Sequence, residues 1–318
     1  MRVAILDDYQ NAALAAADWK SLGPDVQVRV FNRHIKGEAA VAKALKPFDV
    51  VVGMRERTPF PKSLIGKLPN LKLLVTTGMR NLSFDLKAAK ARGVVVSGTQ
   101  MLGFPAAEHA AALILALFKK IPAEDRTMKR GGWQAGPSEG MKGKTLGILG
   151  LGKLGARVAR VGQALEMNVV AWSQNLTPAR CAEVGQVACV DKETLFKTAD
   201  VISIHLVLSD RTRGLVGARE LGWMKPTAYL VNTSRGPIVD EKALIKALRA
   251  GDIAGAGLDV YDVEPLPRSH PIRKLKNVVL TGHTGFVVKE LYALAYGEVI
   301  ENIKAWRAGR PIRVLAAD

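Results

Sequence analysis

The stretch KTLGILGLGKLGARVARVGQAL, residues 144–165, decides the fold of this chain. Thr145–Leu149 is a short apolar run with the character of a buried strand. Gly150, Gly152 and Gly155 follow at the spacing G-x-G-x-x-G, and a helical pattern begins directly after them. Strand, glycine turn and helix in that order form what a dinucleotide site requires. The first glycine allows the tight turn, the second lets backbone approach a pyrophosphate, and the third lets the helix pack closely on the strand. The phosphates then sit on the unpaired N–H groups and positive dipole end of the new helix, at Lys153 and Leu154. A glycine-rich turn by itself is only a turn; the strand before it and the helix behind it give it meaning.

Outward from this point the chain keeps the same rhythm. Before it, short Val-, Ile- and Leu-rich runs at 3–6, 26–31, 50–52, 73–76 and 94–96 alternate with helical patterns at 11–19, 38–45, 63–67 and 86–92. Such alternation predicts a parallel sheet covered on both faces. The first turn, Asp7-Asp8-Tyr9-Gln10, carries no glycine, so this first unit lacks a phosphate cradle. An alanine- and leucine-rich helix at 106–120 and a second at 123–130 lead to the glycine turn. Further strands are expected at 169–172, 188–190, 201–204, 228–231, 255–258 and 278–280, with a helix at 241–250 stopped by Gly251. A last helix at 288–307 returns to cover the first sheet. The expected architecture is α/β, with two doubly wound parallel-sheet (Rossmann-like) domains and a cleft between them. The substrate domain takes residues 1–99 plus 287–318, and the dinucleotide-binding domain residues 100–286.

Bulk properties narrow the function. The 318 residues suffice for two cores, and 48 % hydrophobic with 24 % charged residues is an ordinary soluble mix. Cys181 and Cys189 match neither a disulfide framework nor zinc spacing, so a reducing compartment and no metal are expected. No N-terminal signal is visible, and the longest apolar run, 110–118, is too short to cross a bilayer. A cytoplasmic protein with no membrane partner is expected. The net charge of +17 comes from scattered lysines and arginines, and aromatics are only 6 %. A basic surface with sites for small anions is expected, not a nucleic-acid partner.

Three candidate sites stand just after strands downstream of the glycine turn, where a doubly wound sheet opens its carboxyl ends. The run 228–231 leads to Asn232-Thr233-Ser234-Arg235-Gly236. Residues 255–258 lead to Asp259 and then Glu264-Pro265. Residues 278–280 lead to Thr281-Gly282-His283. Arginine can hold a carboxylate bidentately. Histidine can pass a proton to a carbonyl oxygen as hydride arrives, and a carboxylate beside it orients the ring and favours its charged form. Arg235, Glu264 and His283 together suit reduction of a 2-oxo acid.

With these residues in view the chain resembles the D-isomer-specific 2-hydroxyacid dehydrogenases over nearly its whole length. The resemblance rests on GLGKLG, NTSRGPIVDEKAL (232–244), GAGLDVYDVEPLP (255–267), NVVLTGH (277–283) and AAEHAAALILAL (106–117). It implies an NAD(P)-dependent oxidoreductase of 2-hydroxy and 2-oxo acids. It implies that Arg235 binds the substrate carboxylate and carbonyl, that His283 is the acid/base, and that Glu264 is its partner. Asp259 matches the aspartate that bonds the nicotinamide carboxamide, and Thr233 joins the cofactor set. Gly78-Met79-Arg80 matches a loop whose backbone N–H groups take the substrate carboxylate, with Arg55 and Arg57 nearby. A homodimer through the helix at 106–118 and the segment after it is also implied.

Three departures from the family pattern shape the expectations. An aspartate that often ends the second cofactor-domain strand is replaced by Ser173-Gln174-Asn175. Without a carboxylate to repel it, a 2′-phosphate could be received by Ser173, Gln174 and Arg180, so NADP is favoured over NAD. Gly282 stands before His283 where proline is usual and Phe286 adds bulk after it, so a more loosely aimed imidazole is expected. Arg80 takes a place that is commonly glycine, and with Arg55 and Arg57 it would favour a second anionic group on the substrate. The alternative is an NAD(P)H-sensing, corepressor-like interaction protein with little or no turnover.

Overall fold

The computed structural model of the protein describes residues 1–316. The chain divides into two compact units, Met1–Leu102 with the chain from Val287 onward, and Gly103–Phe286. Among the described residues no helix is long and apolar enough to cross a membrane.

The first unit is built on five parallel strands: β1 (Arg2–Ile5), β2 (Gln27–Val30), β3 (Val50–Gly53), β4 (Leu73–Thr76) and β5 (Val95–Ser97). Their order is β2-β1-β3-β4-β5, with Val3 opposite both Val28 and Val50, and Leu74 opposite Val51 and Val96. Every residue of β3 and β4 is buried, which is why these strands read as unbroken apolar runs instead of alternating. The helix Lys289–Arg307 belongs to this unit and lies against β4 and the turn Trp19–Leu22. Its Tyr296 is fully buried, with ring centroids 6.0 Å from Trp19 and 5.6 Å from Tyr292.

One helix differs from its sequence pattern. In place of a helix over 11–19 there is one turn, Ala13–Ala16, and then a 3₁₀ turn at Trp19–Leu22. The cause lies in the preceding side chain. Buried Asp8 accepts hydrogen bonds from the N–H groups of Ala12 and Ala13, so the helix starts only there, and Asn11 is turned to φ 52°.

The second unit carries seven parallel strands: β6 (Thr145–Leu149), β7 (Asn168–Trp172), β8 (Val187–Cys189), β9 (Val201–Ile204), β10 (Tyr229–Asn232), β11 (Gly255–Leu258) and β12 (Val278–Leu280). The order is β12-β11-β10-β9-β6-β7-β8. The chain runs outward from β6 to β8, then returns to β9 on the other side of β6. Strand order therefore reverses between β6 and β9, the point where such sheets open a crevice at their carboxyl ends. The glycine turn follows β6 at that point. Gly150 sits at φ 105°, and a Cβ there would lie 2.7 Å from the carbonyl oxygen of His205, the residue after β9. A Cβ on Gly155 would lie 2.1 Å from the Gly150 carbonyl oxygen. Only hydrogens fit at these two places, and the helix Lys153–Ala164 can then pack its Val158 and Ala159 into the core beneath.

Replacing Gly155 by alanine should force the turn and the helix apart. We expect a loss of roughly 2–3 kcal/mol, a typical cost of overpacking. Thermal denaturation should show it as a fall of about 5–10 °C for a unit of this size. An unchanged melting temperature would show that the close approach is not needed.

Candidate active site

Whether the glycine turn can serve as a phosphate cradle depends on what surrounds it. The helix Lys153–Ala164 begins at Gly152 with no side chain capping its first N–H groups. Those groups have no partner within a helix and need one from outside. A Cβ at Gly152 would meet nothing within 4 Å, so the space in front of the helix is open. Positive dipole end, free amides and open space fit the pyrophosphate of a dinucleotide. Lys153 and Leu154 are the first helical residues.

Ser173, Gln174 and Asn175 follow directly on β7, with no acid among them. Gln174 donates its amide N–H to the carbonyl of Arg211 at 3.2 Å. Arg180 donates from Nε to the carbonyl of Leu151, inside the glycine turn, at 3.1 Å. A second guanidinium nitrogen pairs with Glu183 at 2.5 Å. Arg180 thus ties the helix Pro178–Val184 to the cradle. Beside the turn, His205 shares a 2.8 Å hydrogen bond with Ser203 Oγ. Burial pushes its pKa down to about 4, so it is neutral at pH 7.

Arg235, Glu264 and His283 follow β10, β11 and β12, three neighbouring strands. The Arg235 turn is shaped from within. Asn232 accepts from the Ser234 N–H and donates to the Arg235 carbonyl, while Ser234 Oγ donates to the Ile204 carbonyl. Thr233 lies between these two anchors. A Cβ at Gly236 would lie 2.1 Å from the carbonyl carbon of Tyr261, so the Arg235 turn rests on the backbone that leads to Glu264. Glu264 accepts the Tyr261 N–H at 2.9 Å with one oxygen and holds His283 Nδ1 at 2.6 Å with the other. His283 is at φ 55°, a region that a non-glycine residue holds only under constraint. The Phe286 ring meets its imidazole edge-on, with centroids 5.6 Å apart.

The constraint comes from Asp259, which is 1 % exposed. Its backbone carbonyl accepts the His283 N–H at 2.7 Å. Its carboxylate accepts the N–H groups of Thr284 and Gly285, both at 2.8 Å, and the Thr281 hydroxyl at 2.6 Å. Burial pushes the Asp259 pKa up, but hydrogen bonds from His109, Thr281, Thr284 and Gly285 outweigh it and hold the carboxyl below its ordinary value. The loosely aimed imidazole expected from Gly282 is therefore not what is found. The loop is pinned on the residues to either side of His283, and Gly282 itself needs no unusual backbone angle. Sequence reasoning missed His109, Thr281 and Tyr261, whose hydroxyl donates to the carbonyls of Leu258 and Thr281.

In the first unit, Arg55 and the loop Gly78-Met79-Arg80 stand at the carboxyl ends of β3 and β4. Arg55 donates from one nitrogen to the carbonyls of Thr77 at 3.0 Å and Arg80 at 3.5 Å, and pairs with Glu56 at 3.5 Å. Gly78 makes room for it, since a Cβ there would overlap the Arg55 guanidinium. The Gly78 N–H is already given to Thr99 Oγ1 at 3.0 Å. Of the three amides expected to receive a carboxylate, those of Met79 and Arg80 are left for that task. Both residues are exposed. Arg57 lies elsewhere in the loop, over the Tyr9 ring and bonded to the Asp7 carbonyl. No group of three His, Cys, Asp or Glu among the described residues could hold a metal.

The fold and the glycine turn define a dinucleotide-binding α/β protein, and comparison with known proteins narrows the class. Residues 111–285 match the family described as D-isomer specific 2-hydroxyacid dehydrogenase, NAD binding domain. A D-3-phosphoglycerate dehydrogenase of Archaeoglobus fulgidus is 38 % identical over 263 residues, covering 82 % of this chain and 50 % of that one. A glyoxylate reductase of Thermococcus litoralis is 38 % identical over 264 residues, covering 76 % and 79 %. A phosphoglycerate oxidoreductase of Vibrio cholerae O395 superposes with a TM-score of 0.92 at 36 % identity, covering 97 % and 99 %. The chain belongs to the D-isomer specific 2-hydroxyacid dehydrogenase family. It spans about half the length of the Archaeoglobus relative.

The neutral His205 gives the fold a pH signature. Below about pH 6.5 an unfolded histidine takes up a proton that the folded one refuses until about pH 4. Stability should be fully present above pH 6.5 and fall as pH drops towards 4, by on the order of 1–3 kcal/mol. Urea denaturation across this window should show the fall, and His205→Gln should flatten it. An equal slope in the variant would remove His205 as its source.

Proposed function

We propose that the protein is an NAD(P)-dependent D-2-hydroxyacid dehydrogenase, reducing a 2-oxo acid or oxidising the matching 2-hydroxy acid. The observation that carries this reading is the 2.6 Å hydrogen bond between His283 Nδ1 and Glu264, at the end of a strand in the same sheet as the phosphate cradle. With Nδ1 engaged, Nε2 is the ring atom left to exchange a proton. A nicotinamide, when bound, supplies or takes the hydride. The chain's own groups then orient the substrate and handle the proton. Arg235 takes the carboxylate and polarises the carbonyl, His283 gives its Nε2 proton to the carbonyl oxygen, and Glu264 holds the imidazole in place. In the first unit the amides of Met79 and Arg80, on a loop braced by Arg55, receive a carboxylate. Gly150, Gly152, Gly155, Lys153 and Leu154 bind the pyrophosphate, with Thr233 and Asp259 serving the nicotinamide side.

The acid-free run Ser173-Gln174-Asn175 supports NADP, because no carboxylate there repels a 2′-phosphate. The engagement of Arg180 with Leu151 and Glu183 weakens its part in that preference. A homodimer through the second unit is supported by the helix Ile121–Lys129, which buries no residue and exposes Ile121 and Met128, with exposed Trp133 beyond it. The cytoplasm is the compartment we assign.

Turnover of a panel of 2-oxo acids, followed at 340 nm with both reduced cofactors, tests the proposal. We expect a higher kcat/KM with NADPH; a clearly higher value with NADH would reverse the preference. Binding of NAD(P)H with no turnover of any acid would favour the sensing protein instead. His283→Ala should lower kcat by about 10²–10⁴, the usual contribution of a positioned acid or base. Cofactor affinity should be unchanged. Near-normal turnover would take the proton-transfer role away from His283.

A further inference from the structure

We propose that His109 is a positioning residue which, through Thr281, fixes Asp259 and with it the loop that carries His283. The inference rests on the reading of His283 as the proton-transfer group, but its geometry stands apart from that reading.

The helix Pro105–Phe118 is built on alanine and leucine, and one stripe of it is 109, 113 and 117. Leu113 and Leu117 face Gly257 of β11 so closely that a Cβ on Gly257 would lie 3.2 Å and 3.3 Å from their side chains. Four residues back along a helix is a step of about 6 Å, and two residues along a strand is a step of nearly 7 Å. Gly257 and Asp259 point to the same side of the strand. With Leu113 seated over Gly257, the residue one turn earlier falls over Asp259, and that residue is His109.

His109 Nε2 is 2.9 Å from Thr281 Oγ1 and 3.4 Å from Asp259 Oδ1. The Thr281 hydroxyl gives its proton to Asp259 Oδ1, so its oxygen can only accept from His109. The resulting chain runs from His109 N–H to Thr281 O–H to the Asp259 carboxylate. From there it passes to the N–H groups of Thr284 and Gly285 and, through the Asp259 carbonyl, to that of His283. A Cβ on Gly285 would lie 3.5 Å from His109 atoms, so the imidazole also covers the loop directly. His109 bonds neither His283 nor Glu264. It acts by holding a buried carboxylate in the one orientation that keeps residue 283 in its constrained conformation.

The test compares His109→Leu, which removes the donor, with His109→Gln, which restores an N–H at similar reach. We expect His109→Leu to lower kcat roughly ten- to a hundredfold, the scale of a small misplacement of a reacting group. The KM for the 2-oxo acid should stay within about threefold, since Arg235 and the amides of Met79 and Arg80 are untouched. His109→Gln should recover most of the loss. Amide hydrogen exchange across 281–286 should quicken about tenfold in the leucine variant, as a loop does when its anchoring bonds weaken, and slow again in the glutamine variant. Normal kcat and normal exchange in His109→Leu would overturn the proposal. A loss that glutamine does not repair would overturn it too, because packing bulk would then be the cause. Should His109→Leu not fold, Thr281→Val breaks the same chain one link later and must give the same two changes. Should the protein turn over no 2-oxo acid, the functional reading fails, and the exchange measurement alone still decides the role of His109.

Discussion

A charge buried at the end of a strand governs the second unit. Asp259 is removed from water, and an ionised carboxylate in that position is tolerated only when hydrogen bonds replace its hydration. Its donors lie at the end of β12 and in the loop beyond it, and the helix Pro105–Phe118 backs them through the bond from His109 to Thr281. These donors satisfy the same two oxygens, so their mutual placement is fixed by one requirement. The carboxylate stays ionised because these donors outweigh the cost of burial. The loop at residue 283 is the part of this arrangement that would not adopt its shape alone.

The phosphate cradle obeys a different constraint, one of space. Gly150 and Gly155 are needed because backbone atoms of His205 and of Gly150 itself occupy the volume a Cβ would take. The reversal of strand order beside β6 puts these atoms there, since β9 ends next to β6 and carries His205 just past its last residue. His205 is kept neutral by burial and satisfied by Ser203, so the positive end of the helix, not a histidine charge, is what faces an anion at the turn. The sterics shape the turn, and the uncapped helix start with open space before it favours an anion there.

Much of the backbone was legible in the sequence wherever short-range physics decides. The strands β4, β6, β9, β11 and β12 and the helices at Lys153 and Glu241 stand where their patterns put them. The last of these is bounded by local signals: Asp240 accepts from Lys242 and Ala243 at its start, and Gly251 ends it at φ 76°. Reading failed where a side chain overrides the pattern, as Asp8 does at the first helix. It failed again where partners are far apart in the chain. His109 and Thr281 are 172 residues apart, and nothing in an alanine-rich helix marks one histidine as facing a strand aspartate. The glycine in GAGLD could have given it away, since Gly257 is where that helix comes close. Arg55 shows the same limit. Its residue type suited an anion, but its bonds to the Thr77 and Arg80 carbonyls depend on a loop closing more than twenty residues away.

Two of the non-glycine residues in the left-handed region are held by such networks. Arg55 and His283 both lie in the left-handed region, at φ 51° and φ 55°. Arg55 has its N–H on Thr77 and its carbonyl bonded by Asn81. His283 has its N–H on Asp259 and its ring on Glu264. In neither case does the local sequence by itself account for the conformation. For His283 the support runs from Asp259 through Thr281 to a helix near the start of the unit. Removing any link should relax the loop before it unfolds the sheet, because β11 and β12 keep their own ladder. The aim of the imidazole is therefore a property of the packed unit, set by how closely one helix can approach Gly257.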